Sequence, residues 1–111
     1  MEIMFPIGND PDDWNETKRL VRQYNTQRAK LIHRRLDDLR AADCLEVVRH
    51  LPGRCHELKG DRGGQLSFDL DGPYRLLFKP AHEPPPLKPE GGLDWRRVTA
   101  IKIIGVVNTH D

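Results

Sequence analysis

The segment from Arg54 to Phe78 carries the side chains best suited to chemistry on a phosphate group. Its cations and its one histidine are Arg54, His56, Lys59, Arg62 and Arg75. A guanidinium offers forked donors to phosphate oxygens, and a histidine gives or accepts a proton near neutral pH. The segment therefore predicts a site that binds phosphate and moves protons.

Tight turns divide this segment into short strands, which would hold the cations on a rigid support. Apolar runs separated by glycine-containing turns predict strands over about 54–59, 65–70 and 74–79. The turns between them are 60–64 and Asp71-Gly72. Side chains alternate along a strand, so His56 and Lys59 face opposite ways unless the strand bends or ends near Lys59.

The residues before this segment predict one more strand and the first of two helices. Residues 2–7 form the predicted strand, with three apolar side chains on one face: Ile3, Phe5 and Ile7. A helix is predicted to begin at Asp10-Pro11, because an aspartate accepts hydrogen bonds from free N–H groups and a proline suits the first turn. This helix is expected to run to about Tyr24.

The second predicted helix takes Thr26 as its cap. Apolar residues recur along it at steps of three and four, which is typical of a buried helix face: Ala29, Ile32, Leu36 and Leu39. Charged residues fall largely on the other side: Arg28, Arg34, Arg35 and Asp38. Eight cations lie between residues 18 and 40. They predict a basic surface for an acidic or nucleic-acid partner, with an ordinary solvated helix face as the alternative.

The C-terminal third predicts a proline-rich loop followed by a long strand. Four prolines lie between Ala81 and Trp95, and they favour a flexible insertion without regular structure. The segment Val98 to Val107 is almost entirely apolar, which predicts a central strand covered on both sides. The order of elements predicts one α+β domain over 1–111, with a loop at 80–97. In it an N-terminal strand and a helical hairpin pack on a twisted, mostly antiparallel sheet.

Length and composition bound the class of protein. With 111 residues, 37% hydrophobic and 32% charged, the chain suits a single globular domain. No apolar window is long enough to span a membrane, and the N-terminal residues lack the features of a signal peptide. We therefore expect a cytoplasmic protein whose Cys44 and Cys55 stay reduced. The spacing of its histidines and cysteines fits no metal motif, so neither a metal nor a cofactor is expected.

The order of residues in the phosphate-handling segment resembles a known family. Leu58-Lys59-Gly60, the strand 65–70 and then Tyr74-Arg75 followed by apolar residues are similar to the RelE/HigB-type toxins of bacterial toxin–antitoxin pairs. The proline-rich loop before Leu93-Asp94-Trp95 resembles the HigB-like branch. This resemblance implies a RelE-like fold and a metal-independent endoribonuclease. Such an enzyme cleaves messenger RNA on the ribosome by attack of the ribose 2′-OH on the adjacent phosphodiester.

The resemblance also implies roles for individual residues. Arg75 would stabilise the phosphorane, and His56, Lys59 and His110 would complete the catalytic set. Flanking RNA phosphates would meet three further cations: Arg54, Arg62 and Lys79. Each main candidate has an alternative. Arg75 can instead pair with Asp69 or Asp71, His56 can be an exposed edge-strand residue, and His110 can belong to a frayed tail.

Two departures from the family pattern keep other functions open. The stretch 108–110 retains a histidine but lacks the family's acid and aromatic residue, and Ser67 and Asp69 stand where the RelE branch has lysines. There are two alternatives. One is a ParE-like toxin that inhibits DNA gyrase, and the other is a catalytically decayed member that only binds an antitoxin. The implied partner is a helix-turn-helix antitoxin, and the complex, rather than the chain alone, would bind operator DNA. Candidate docking surfaces are the basic region 18–40 and the strand edge at 54–59.

Overall fold

Five strands form one mixed sheet in the computed structural model, which describes residues 1–8 and 10–109. In chain order they are β1 (Glu2–Met4), β2 (His56–Glu57), β3 (Leu66–Asp69), β4 (Tyr74–Pro80) and β5 (Ala100–Asn108). Their order across the sheet is β1-β5-β4-β3-β2. The β1 and β5 strands are parallel, and the other neighbours are antiparallel. The expected α+β architecture with a mostly antiparallel sheet is confirmed.

The helical hairpin is present, but its first arm is broken. The helices are α1 (Asp12–Asn15), α2 (Thr17–Gln23), α3 (Thr26–Ala41) and a short α4 (Leu45–Val48). The prediction of a continuous first helix was wrong, because Glu16 adopts an extended backbone with φ −96° and ψ 119°. The capping role of Asp10 is confirmed, since its carboxylate accepts from Asp12 N at 3.0 Å. The cap of α3 is Asn25 rather than Thr26, because the Asn25 side chain accepts from Arg28 N at 2.7 Å.

The core lies between α3 and one face of the sheet. The four apolar residues predicted for the second helix are buried there with the inward residues of β3, β4 and β5. Arg35 was wrongly placed on the solvent side, for it is only 9% exposed. Its Nε donates to the Asp69 carbonyl at 2.8 Å, and its guanidinium lies 5.1 Å from the Phe68 ring centroid. Burial lowers the pKa of Arg35, and these two contacts offset part of the cost of burying the charge.

The long last strand is central, as predicted, but only one of its faces is fully covered. Ile101 and Ile103 are buried in the core, whereas Lys102 and Ile104 on the opposite face are partly exposed. The prediction of a strand covered on both sides was therefore wrong. The first strand is also shorter than predicted, because it ends at Met4 and Ile7 is 92% exposed.

The proline-rich loop contains a small hydrogen-bonded turn. Leu87 and Leu93 form an isolated antiparallel bridge, and Asp94 N donates to the Pro86 carbonyl at 2.9 Å. Trp95, in a short 3-10 turn, is buried and donates from Nε1 to Glu57 Oε2 at 3.0 Å. This contact ties the end of the loop to β2. None of the helices in the described part of the chain is long and apolar enough to cross a membrane.

Candidate functional site

The face of the sheet that points away from α3 carries most of the predicted site residues, and we call it the open face. Strand register places its members opposite one another: His56 with Ser67 and Leu77, Asp69 with Arg75, and Lys79 with Lys102. Leu77 is buried, yet it lies outside the core cluster beneath the helices. The open face is therefore a small apolar floor that carries polar and charged side chains.

Arg75 lies on this face at the start of β4, beside the turn that follows β3, and is held on several sides. Its Nε lies 2.9 Å from Asp69 Oδ1, and its Nη1 donates to the Gly72 and Tyr74 carbonyls, at 2.8 Å each. The Arg75 side chain is 18% exposed. The guanidinium is thus fixed in position, but a carboxylate partly neutralises its charge. The pairing with Asp69, which the sequence left open as an alternative, is present.

Arg54 approaches the same carboxylate from the neighbouring segment. Its Nε donates to Asp69 Oδ2 at 3.2 Å, while its side chain is 70% exposed. The backbone bends sharply here, because Gly53 and Arg54 both have positive φ, +113° and +48°. The Gly53 carbonyl accepts from Asp69 N at 2.8 Å, which fixes this bend against β3. The bend brings Arg54 beside Asp69 before β2 begins.

His56 is held by a contact of one ring nitrogen with the backbone. Its Nδ1 lies 2.8 Å from the Arg54 carbonyl oxygen, which can only accept a hydrogen bond. In the neutral imidazole this contact places the proton on Nδ1, so Nε2 carries the lone pair. Nε2 is therefore the nitrogen able to accept a proton from a substrate hydroxyl.

Lys59 and Arg62 do not lie with the group formed by Arg54, Asp69 and Arg75. The β2 strand ends at Glu57, although Leu58 N still donates to the Gln65 carbonyl at 2.9 Å. Lys59 keeps an extended backbone with φ −123° and ψ 175°, so no bend turns it toward His56. Arg62 lies in a 3-10 turn over 60–62. Both side chains are exposed and form no ion pair with any described residue.

Lys79 and Lys102 form a second basic group on the open face. They are direct partners across β4 and β5, and Lys79 is exposed. Like charges opposite each other on a sheet repel, so an anion between them would relieve the repulsion. Arg75 and Lys79 are four positions apart on one strand, or about 13 Å. Sequence reasoning missed Lys102 as a site residue, although its alternation with Ile101 and Ile103 placed it opposite the core.

A second arginine–aspartate pair holds the turn beside Arg75. Arg28 in α3 contacts Asp71 through two hydrogen bonds, of 3.0 and 3.2 Å. Its guanidinium carbon lies 3.3 Å from the Tyr74 ring centroid. This contact fixes the turn whose Gly72 carbonyl binds Arg75. No local sequence signal pointed to it, because Arg28 and Asp71 are 43 positions apart.

The basic region 18–40 is smaller than its composition suggests. Half of its eight cations form contacts within the chain: Arg19, Arg28, Arg35 and Arg40. Four remain exposed and form no ion pair with a described residue: Lys18, Arg22, Lys30 and Arg34. They occur as two pairs spaced one helical turn apart, on α2 and α3. The candidate docking surface is therefore these four residues rather than the whole region.

Cys55 directly precedes His56, and its thiol is buried. Burial raises the pKa of the Cys55 thiol to about 12, so Cys55 is protonated at neutral pH and cannot serve His56 as a thiolate. Within residues 1–8 and 10–109, no three histidine, cysteine or acidic side chains stand close enough to hold a metal ion. His110 lies outside the described residues, so its catalytic role stays a prediction.

Comparison with known proteins gives a structural likeness without a sequence match. Neither a protein-family model nor a curated protein sequence matches this chain. Among solved structures, the chain is similar to a YoeB/ParE toxin from Agrobacterium tumefaciens. The TM-score is 0.56 at 12% sequence identity, and the match covers 96% of this chain and 96% of that chain. The chain therefore has a RelE/ParE-type fold, which confirms the expected fold class.

Proposed function

We propose that this protein is the toxin of a toxin–antitoxin pair and that it cleaves messenger RNA without a metal ion. The observation that carries the proposal is the open face, where the contact of His56 Nδ1 with the Arg54 carbonyl leaves Nε2 as the basic nitrogen, and where Arg54 and Arg75 share the Asp69 carboxylate. The similar toxin structure supports the first half of the proposal. The motif resemblance to HigB-like toxins supports the second.

The proposed reaction needs three groups around one phosphodiester. His56 accepts the proton of the ribose 2′-OH, whose oxygen then attacks the adjacent phosphorus. Arg75, assisted by Arg54, stabilises the negative charge that develops on the phosphorane. An acid then protonates the leaving 5′-oxygen, and His110 is our candidate for this role. The products are a 2′,3′-cyclic phosphate and a free 5′-hydroxyl.

The flanking cations of the open face would guide the RNA strand. Lys79 lies about 13 Å from Arg75 along β4, and Lys102 is its direct partner on β5, so this pair would bind a phosphate other than the reacting one. Lys59 and Arg62 follow β2 at the end of the sheet where Lys79 lies, since Glu57 pairs with Leu66 and Leu66 with Phe78. Both are exposed and would reach further phosphates of the RNA. We propose that cleavage occurs on the ribosome and in the cytoplasm. A helix-turn-helix antitoxin would neutralise the protein by docking on the four exposed helix cations or the edge at 54–59.

A cleavage assay tests the reaction class. The purified chain, mixed with messenger RNA with and without ribosomes, should give fragments ending in a 2′,3′-cyclic phosphate or 3′-phosphate. A chelator should leave the rate unchanged, because none of the proposed steps uses a metal. Loss of cleavage on adding the chelator would contradict the metal-free mechanism. Co-expression with the neighbouring open reading frame should yield a stable complex, which tests the antitoxin separately.

Replacing His56 tests the base. His56→Gln keeps a hydrogen bond to the Arg54 carbonyl but removes the basic nitrogen, so cleavage should slow by about 10²-fold. His50→Gln is a matched control, because His50 is a 74% exposed histidine on the helical side of the molecule. Single-turnover rates and melting temperatures of both variants provide the measurement. Unchanged cleavage by His56→Gln would show that His56 is an edge-strand bystander.

One observation favours a second function, a ParE-like toxin that inhibits DNA gyrase and cuts no RNA. The carboxylate of Asp69 contacts both Arg54 and Arg75, and an acidic residue there opposes binding of an RNA phosphate. A gyrase supercoiling assay separates the two functions, because only the ParE-like protein would reduce supercoiling without cleaving RNA. A decayed protein that only binds its antitoxin would be inactive in both assays yet still form the complex.

A further inference from the structure

Two arginines of the open face converge on a single carboxylate, at the end of β3. Asp69 Oδ1 lies 2.9 Å from Arg75 Nε, and Asp69 Oδ2 lies 3.2 Å from Arg54 Nε. These three residues carry two positive charges and one negative charge. The group keeps a net positive charge, so it still attracts an anion.

The carboxylate is held near the arginines by its backbone more than by its own hydrogen bonds. Asp69 N donates to the Gly53 carbonyl, and the Asp69 carbonyl accepts from Arg35 Nε, both at 2.8 Å. Asp69 Oδ1 is buried, and no hydrogen bond from a described residue reaches it, because its contact with Arg75 has the distance but not the angle of one. A buried carboxylate oxygen in this state is incompletely compensated for lost hydration. Asp69 therefore neutralises part of the charge of Arg75, although its own Oδ1 accepts no hydrogen bond from a described residue.

Both guanidiniums keep donors that Asp69 does not use. The ion-pair contacts of the carboxylate at 2.9 and 3.2 Å are with the Nε atoms, and Arg75 directs Nη1 to backbone carbonyls. Arg54 is 70% exposed, so its Nη groups can reach a ligand on the open face. A phosphate group has the charge and the oxygen spacing that two converging guanidiniums recognise.

We propose that Asp69 is a built-in competitor at a phosphodiester site formed by Arg54 and Arg75. In the free protein its carboxylate occupies the position of the anion, and its charge weakens binding of an RNA phosphate there. Only the identity of the ligand as an RNA phosphodiester rests on the proposed function. The consequence is unusual for a residue in a binding site: removing the charge of Asp69 strengthens binding.

The test measures binding of an uncleavable RNA. A short single-stranded RNA with 2′-O-methyl groups throughout cannot undergo attack by the 2′-OH, so its affinity reports binding alone. Asp69→Asn should bind this RNA about tenfold more tightly than wild type, the scale of one unit charge removed a few ångströms from a partly solvated anion. Inorganic phosphate, as a second probe, should bind more tightly in the same variant.

Asp94→Asn is the matched control. Asp94 and Asp69 have side chains of equal exposure, 24%, and Asp94 also pairs with an arginine, Arg97, away from the open face. This variant changes the net charge equally and should leave RNA affinity within about twofold, since its charge lies outside the site. An equal gain in both variants would reduce the effect to net charge and overturn the proposal.

A second variant distinguishes an effect of misfolding from the removal of the carboxylate that competes with the RNA phosphate. Asp69→Ser removes the charge with a smaller polar side chain, and its melting temperature is compared with that of Asp69→Asn. Equal or weaker RNA binding by whichever variant melts like wild type would overturn the proposal and make Asp69 a positioning residue for Arg75. Tighter binding together with no cleavage of unmodified RNA would retain the proposal and refute the nuclease.

Discussion

Arg75→Ala is expected to lower the rate of RNA cleavage by about 10²- to 10³-fold, the scale of losing one strong stabiliser of transition-state charge. Arg75 is the most firmly positioned cation of the open face, because contacts to Asp69 and two backbone carbonyls fix its guanidinium. Arg75→Lys keeps the charge but loses the fork, so its rate should fall between those of wild type and the alanine variant. Single-turnover cleavage of messenger RNA is the measurement.

Arg97→Ala is the control for this variant. Arg97 is also ion-paired with an aspartate, Asp94, but its side chain is 61% exposed and lies away from the open face. Its removal should leave cleavage unchanged, and melting curves should show that each variant remains folded. Arg75→Ala with wild-type cleavage would limit Arg75 to its structural pairing with Asp69. The phosphorane would then have to be stabilised by another cation.

Gly53→Ala is expected to have the largest effect on stability. The backbone of Gly53 has φ +113°, where a side chain is strained, and a Cβ there would clash with the Phe68 ring and approach Arg35 Nε to 2.8 Å. Strain and overpacking together should cost about 3–5 kcal/mol of the free energy of unfolding. For a domain of this size the melting temperature should fall by roughly 15–30 °C. Thermal and chemical unfolding of the purified variant are the measurements.

Gly64→Ala separates strain from collision. Gly64 also has positive φ, +87°, but an added Cβ would meet no atom within 4 Å. The control should therefore lose only about 1 kcal/mol, from backbone strain. Equal losses in the two variants would show that the clash with Phe68 and Arg35 is relieved at little cost. The bend that places Arg54 beside Asp69 would then be more adaptable than its geometry indicates.

Local sequence patterns predicted the helix and the strands in which apolar residues recur at a regular spacing. The buried face of α3 followed from apolar residues at helical spacing, and all four predicted residues lie in the core. The strands β3 and β4 followed from apolar runs and glycine turns: β3 lies within its predicted range, and β4 ends one residue beyond its own. These predictions succeeded because periodicity depends on neighbouring residues alone. The break at Glu16 was missed because α1 and α2 together have no proline or glycine to mark it.

Only the tertiary structure decided which charges meet. The sequence proposed Arg75 for the phosphate and left a pairing with Asp69 or Asp71 open, and the fold assigned Asp69 to Arg75 and Asp71 to Arg28. It also buried Arg35, although the helical pattern had placed this residue toward solvent. These contacts join β3 to β4, α3 to a turn and α3 to β3, so strand register and the packing of α3 set their distances. A side-chain period specifies the face on which a residue lies, but the partner on that face comes from a distant part of the chain.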